Sequence, residues 1–162
     1  MVGFQRTTAQ SYCQHARESR GSNSRKRLVL KYLLDTDTCI DMLRGRETMA
    51  PEHIMKHEIG EIAISAITHH ELMFGLHHIN SKNKWEKFKV FTRNLSILPF
   101  DDRDSEKAAS IRSELEKSGL GIGILDSLIG GQALAKGLVL ITSNKKHFGR
   151  ISKLKLEDWR DS

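Results

Sequence analysis

Short apolar runs alternate with amphipathic segments along most of this 162-residue chain. The apolar runs have the length and composition of buried strands: LVLKYLLD (28–35), EIAIS (61–65), LSILPF (95–100) and LVLITS (138–143). Residues 154–156 also fit a short final strand. Helical spacing of apolar residues occupies the segments between them, at 36–44, 66–80, 82–92, 104–117 and 125–136. Strands that alternate with helices form a parallel sheet covered on both faces, so we expect an α/β fold, a three-layer α/β/α sandwich with a central parallel sheet.

Positive charge is concentrated at the N-terminus. Residues 1–31 contain seven Lys and Arg against one Glu, which accounts for the whole formal net charge of +6, and the rest of the chain is formally neutral. The first residues are polar and show no sustained hydrophobic period, so we expect a basic, disordered extension over 1–30 and one folded domain over 31–162. The extension is interpreted either as an arm that binds nucleic-acid phosphates or, preferably, as the product of a misassigned start codon.

Nothing in the composition indicates a membrane protein. No apolar run approaches the roughly 20 residues that span a bilayer, and the N-terminus lacks the apolar core of a secretory signal. Cys13 and Cys39 form no metal-ligand spacing and are expected to be free thiols. We therefore expect a cytoplasmic protein.

Acidic side chains follow the predicted strands at corresponding points. Asp35 ends the first strand, Glu71 lies in the helix after the second, Asp126 begins the helix before the fourth, and Asn144 follows that strand. Functional sites in parallel sheets form beyond the carboxyl ends of the strands, so these four side chains can converge. Each acid alone is more simply explained as a helix cap or first-turn acid, but clustered carboxylates suit a hard cation such as Mg²⁺.

Five segments taken together resemble the PIN-domain ribonucleases, and among them the VapC-type toxins of bacterial toxin–antitoxin pairs. The resemblance covers about residues 31–159. It rests on LLDTDTCIDML, ISAITHHELMFGL, LPFDDRDSEKAASIRSELEKSG, GIGILDSLIGGQAL and LVLITSNKKHFGRISKLKLEDW, in that order.

The resemblance implies an endoribonuclease that hydrolyses RNA phosphodiester bonds with Mg²⁺ or Mn²⁺. Its metal ligands would be Asp35, Glu71 and Asp126, with Asn144 at a fourth catalytic position and Thr142 and Ser143 in a supporting polar turn. The resemblance further implies a tRNA or rRNA substrate, a VapB-type antitoxin that occludes the site, and a homodimer.

The chain departs from the family pattern at several positions. Asp37 stands where many relatives have Asn, Gly130 and Gly131 stand where they often have Ala, and His147 replaces an acidic residue. These differences leave open whether one or two ions bind. Asp126 or Asp37 is the candidate to position the attacking water or accept its proton.

Parts of the sequence are also compatible with two alternative functions. The motif DTDT at 35–38 also resembles haloacid dehalogenase-type phosphatases, with Asp35 as nucleophile, Asp37 as acid–base and Asp101–Asp102 as metal pair, but the order of the later motifs is wrong for that family. A non-catalytic module that binds RNA or protein is the second alternative.

Basic and imidazole side chains provide the remaining candidates. His69, His70, His77 and His78 lack zinc-site spacing and are expected on the surface or in a groove. Lys145, Lys146 and Arg150 form either a solvated turn or contacts to RNA phosphates.

Overall fold

The computed structural model describes residues 29–45, 49–58, 60–93 and 95–160. The basic extension up to residue 28, including Cys13, lies outside the described residues, and so do residues 161 and 162.

Five parallel strands form one sheet in the order β3-β2-β1-β4-β5. The strands are β1 (Tyr32–Leu34), β2 (Ile62–Ser65), β3 (Ser96–Leu98), β4 (Val139–Ile141) and β5 (Lys155–Glu157). The helices are α1 (Thr36–Arg44), α2 (Ala50–Met55), α3 (Ala66–Ile79), α4 (Lys82–Thr92), α5 (Asp102–Lys117), α6 (Ile124–Ala135) and α7 (Lys145–Phe148). The predicted parallel α/β fold is confirmed, including the short strand at the end of the chain.

The two faces of the sheet bury separate apolar cores, which gives the three-layer sandwich. On one face, residues of α1 to α4 pack against Leu34 and Ile64 of the sheet. On the other face, residues of α5, α6 and α7 pack against Leu33 and Leu140. Leu33 and Leu34 are both fully buried on opposite faces, which is why the strand sequence is apolar throughout rather than alternating.

The central position of β1 determines where the functional side chains lie. In the register of the sheet, Leu34 is opposite Ile64 of β2 and Ile141 of β4. The three strands therefore end at the same edge, and the residues that follow them are neighbours. This edge holds the site predicted from the sequence.

The sequence pattern does not predict two short helices. Helix α2 has six residues and α7 has four, which is too short for a helical period to be recognised. Helix α5 also begins earlier than predicted, because the Asp101 side chain accepts from the Asp104 amide while Asp104 accepts from the Asp101 amide in a capping box.

Two glycines of α6 allow close packing, Gly131 against α5 and Gly130 against Ile151 and Phe148, and a buried polar network also links α6 to α5. A Cβ on Gly131 would lie 2.6 Å from the Cα of Ala108, and one on Gly130 would lie 2.4 Å from Ile151 Cδ1. Nearby, the buried Gln132 donates through Nε2 to Asp104 Oδ2 (2.7 Å) and to a main-chain carbonyl. The glycines that depart from the family pattern therefore have a packing role.

The aromatic residues of α4 belong to the core. Phe88 and Phe91 are buried and Trp85 packs against them.

Across the ranges that the structure describes, no helix has both the length and the apolar character needed to span a bilayer.

Candidate active site

Asp35 is the most buried carboxylate at the sheet edge, with 4% of its surface exposed. It follows β1 and caps α1, accepting from the Thr36 amide through Oδ1 (2.7 Å). The hydroxyl of Thr142, at the end of β4, donates to Oδ2 (2.8 Å). Asp35 therefore has the capping role considered from the sequence, and its second oxygen is fixed by a neighbouring strand.

Burial raises the pKa of Asp35 from 3.8 to about 6. The two hydrogen bonds, from Thr142 and Thr36, act in the opposite direction, while the charges of Asp37 and Asp126 raise the pKa further. The carboxylates are close enough to repel one another, and a bound cation would relieve this repulsion.

Glu71 is placed by α3, which the Ser65 hydroxyl caps at its start. Its Oε2 accepts a hydrogen bond of 2.6 Å from the hydroxyl of Thr36, the residue after Asp35. Thr36 thus connects two of the predicted ligands, by its amide to Asp35 and by its hydroxyl to Glu71.

Asp126 lies in the first turn of α6 and contacts His147 of α7. The distance between Asp126 Oδ2 and His147 Nδ1 is 2.7 Å. Asn144 Nδ2 lies 3.1 Å from the same nitrogen. One ring nitrogen serves only one of these partners, and the ionised carboxylate is the stronger one, so we assign the proton to Nδ1, from where it is donated to Asp126.

The acidic side chains open into one cleft of about 420 Å³. Among the described residues its walls are Asp35, Thr36, Asp37, Ile40, His70, Glu71, Phe74, Leu125 and Asp126. The tertiary structure therefore brings together the three predicted ligands and Asp37. His70, Phe74 and Leu125 were not recognised as site residues, although the spacing of His70 and Phe74 around Glu71 on α3 places them near it.

The remaining predicted residues lie behind or beside this cleft. Thr142 is buried beneath Asp35, while Asn144 caps α7 and accepts from the His147 amide. Ser143 is half-buried between them. Asn144 is thus linked to the acids indirectly, through His147 and Thr142, and is not among the described residues of the cleft wall.

The three basic candidates have different surroundings. Lys145 and Lys146 are exposed on α7, with Lys145 Nζ 4.0 Å from Asp158 Oδ2. Arg150 donates through Nη1 to the carbonyls of Leu120 and Gly121 at 3.2 and 3.1 Å. Arg150 therefore holds the loop before α6, a contact that was not expected from the sequence.

Three of the four histidines lie on the surface or in the cleft as expected, whereas His69 is half-buried and its ring lies 5.5 Å from that of the core residue Phe88. His70 is exposed in the cleft wall, His77 packs edge-to-face against Trp85, and His78 packs against Phe74. Across the described part of the chain, no three His, Cys, Asp or Glu side chains lie close enough together to hold a metal ion by themselves.

The arrangement does not provide the second acidic pair of a phosphatase. Asp101 binds Lys136 (2.8 Å) and caps α5, and Asp102 is exposed in the first turn of that helix. Neither residue belongs to the cleft wall formed by the described residues.

Comparisons with known proteins assign the chain to a family. The PIN domain family model matches residues 32–154. The chain is 33% identical over 135 residues to the tRNA(fMet)-specific endonuclease VapC of Salmonella typhimurium, covering 81% of this chain and 99% of that protein. It is also 33% identical over 130 residues to ribonuclease VapC2 of Rickettsia felis, covering 79% and 97%.

Solved structures show the same relationship. DNA-bound VapBC from Salmonella typhimurium aligns with a TM-score of 0.73 at 32% identity, over 81% of this chain and 99% of that one. VapBC2 from Rickettsia felis, bound to a promoter DNA fragment, aligns with a TM-score of 0.71 at 32% identity, over 80% and 99%. The chain therefore belongs to the PIN-domain family and, within it, to the VapC ribonucleases, the endoribonuclease toxins of toxin–antitoxin pairs.

Proposed function

We propose that this protein is an endoribonuclease toxin that hydrolyses RNA phosphodiester bonds with Mg²⁺ or Mn²⁺ at the acidic cleft. The observation that carries the proposal is the convergence of Asp35, Glu71 and Asp126 from separate elements on one cleft. Helix capping explains Asp35 but does not explain why all three carboxylates open into the same space.

The donor set fits a hard divalent cation. Mg²⁺ is typically held by one or two carboxylates together with waters and substrate phosphate, so a complete cage of protein ligands is not required. The elevated pKa of the Asp35 carboxyl supports the same conclusion, since it reflects burial together with neighbouring negative charges. Asp35, Glu71 and Asp126 would hold the ion, directly or through its coordinated waters.

The bound ion would lower the pKa of a coordinated water and offset charge that grows on the phosphate. The residues of the chain supply orientation and proton transfer. Thr142 and Thr36 fix the carboxylate of Asp35, and Thr36 also fixes that of Glu71. Asp126 or Asp37 would accept the proton of the attacking water, and Asn144, which accepts from the His147 amide, supports Asp126 through His147.

The proposed substrate is tRNA or rRNA. The Salmonella relative, a tRNA(fMet)-specific endonuclease, supports tRNA. Lys145 and Lys146 are proposed to contact RNA phosphates, because both are exposed on α7 next to the site. For Arg150 the loop contacts favour a structural role instead.

The proposed partner is a VapB-type antitoxin that places a basic residue among the carboxylates. The relatives solved as VapBC complexes support this partner. The apolar side chains of Ile40 and Leu125 in the cleft wall would accommodate apolar residues beside that cation. We further propose that the toxin is a cytoplasmic homodimer, with nuclease activity in residues 31–162 and the basic extension 1–30 dispensable for it.

The decisive experiment incubates the purified protein with tRNA and with total RNA in Mg²⁺, Mn²⁺ or chelator. We expect discrete cuts that require the metal and disappear in Asp126→Asn. Asp102→Asn is the matched control, because Asp102 is an exposed first-turn acid outside the cleft wall. Undiminished cleavage by Asp126→Asn would contradict the proposed site.

Parallel assays separate the alternatives. Hydrolysis of a generic phosphate monoester would support the phosphatase hypothesis. Binding of the same RNA with no cleavage would support a pure binding module. Co-purification of the product of a neighbouring small gene tests the antitoxin, whereas a free, active monomer in the native host would contradict both proposed partners.

A further inference from the structure

An exposed aromatic row runs along α3 from the cleft. Its members are His70, Phe74 and His78, each four residues from the next and therefore on one face of the helix. His70 and Phe74 form part of the cleft wall. The rings of Phe74 and His78 touch edge-to-face, with centroids 4.6 Å apart at 79°.

Phe74 is unusually exposed for a large apolar side chain. It is 59% exposed although it lies beside an acidic cleft rather than in a core. Among the described residues, a Cβ on the adjacent Gly75 would meet no atom within 4 Å beyond the neighbouring backbone of its own helix, so the surface of α3 is open there as well. Although its ring touches His78, Phe74 is therefore left largely exposed by the fold.

The row is adjacent to the proposed reaction centre. Phe74 follows Glu71 by three residues, a spacing that puts Cβ atoms about 5–6 Å apart on a helix. Phe74 and the carboxylates line the same cleft, so a ring face is available beside a phosphate bound there. Only an unpaired base can use this ring, because the bases of a duplex are already stacked.

From these observations we infer that Phe74, flanked by His70 and His78, is a stacking site for one unpaired base of the RNA next to the cleaved bond. This inference rests on the proposed function. RNA is favoured over an apolar protein segment because two of the three rings are imidazoles, which combine a stacking face with polar edges, and because the row is continuous with the cleft.

Substitutions at Phe74 test stacking separately from apolar bulk. With tRNA as substrate, Phe74→Ala is expected to raise KM roughly 5- to 100-fold with little change in kcat, the range for loss of one stacked base. Phe74→Trp should retain the wild-type KM, and Phe74→Leu should resemble Phe74→Ala. Ile79→Ala is the matched control, since Ile79 is 52% exposed on the same helix outside the cleft wall. Thermal melts by circular dichroism verify that each variant is folded.

A binding assay gives a readout independent of cleavage. In an Asp126→Asn background, anisotropy of a fluorescent RNA hairpin with an unpaired loop should show weaker binding for Phe74→Ala, with no such difference for the same stem as a blunt duplex. Equal loss for both RNAs, or Phe74→Leu equal to Phe74→Trp, would overturn the stacking site. Loss of antitoxin binding with unchanged RNA affinity and KM would do so as well.

The two proposals fail in different ways. Metal-dependent RNA cleavage that Phe74→Ala leaves unchanged would refute the stacking site and leave the nuclease intact. If the wild-type protein cleaves no RNA, the proposed nuclease fails, and the hairpin assay still decides whether Phe74 stacks on unpaired bases.

Discussion

His147 Nδ1 lies 2.7 Å from Oδ2 of Asp126, so His147 is the direct partner of a proposed metal ligand. His147 is half-exposed and belongs to α7, whereas Asp126 belongs to α6. The contact fixes the orientation of the carboxylate, as hydrogen bonds to metal ligands commonly do.

Removal of this partner is predicted to weaken the site without unfolding the protein. His147→Ala should reduce kcat for RNA, or the affinity for Mg²⁺, by roughly 10- to 100-fold. His147→Gln, which retains a side-chain donor, should recover part of the loss. His77→Ala is the control, since His77 is exposed on α3 and packs against Trp85. Unchanged kinetics and metal affinity in His147→Ala would show that the contact is incidental.

Asp35 is predicted to make the metal-free protein less stable as the pH rises. Its pKa in the folded protein is about 6, above the ordinary 3.8, so folding favours the protonated form. This stabilising contribution is fully present below about pH 4 and is lost as the pH rises through about 6. The difference between the two pKa values corresponds to a loss of about 3 kcal/mol in the free energy of unfolding at neutral pH.

Asp35→Asn tests this sign. Asparagine also caps helices, and the Thr142 hydroxyl can accept as well as donate, so the local hydrogen bonds have replacements. In chelator at pH 7.5, urea unfolding should show that Asp35→Asn is more stable than wild type, with the difference shrinking toward pH 4. A variant that is less stable at pH 7.5 would contradict the predicted charge strain.

Divalent metal is predicted to stabilise the wild-type fold through the same cluster. Mg²⁺ or Mn²⁺ at 100 times its Kd should add about 2.7 kcal/mol to the free energy of unfolding, seen as a higher Tm. The increase should be much smaller in Glu71→Gln and unchanged in Asp102→Asn, whose side chain is outside the cleft wall. Equal metal-induced shifts in all three proteins would place the ion elsewhere.

Glycines at two helical positions are predicted to respond oppositely to alanine. Gly131→Ala should destabilise the fold by about 1–3 kcal/mol, because its Cβ would lie 2.6 Å from the backbone of Ala108. Gly75→Ala should stabilise it by up to about 1 kcal/mol, since open space surrounds that position within a helix. Chemical denaturation of both variants measures the difference, and a destabilised Gly75→Ala would indicate a contact that the monomer does not explain.

The sequence by itself determined the layer architecture and the three principal carboxylates. Apolar strands that alternate with helices have few arrangements other than a doubly covered parallel sheet, and the acids at strand ends then meet at one edge. Asp35, Glu71 and Asp126 were identified in this way, and the structure places all three around the same cleft.

Only the tertiary structure decided which neighbours act on those acids. The bond from Thr142 to Asp35 depends on β4 lying next to β1, and the strand order is not contained in the local pattern of either segment. The pairing of His147 with Asp126, and the exposure of Phe74, likewise depend on how α6, α7 and α3 pack. Periodicity reports which face of an element is apolar, whereas contacts between distant elements are set by the packing of the whole sheet and its two helical layers.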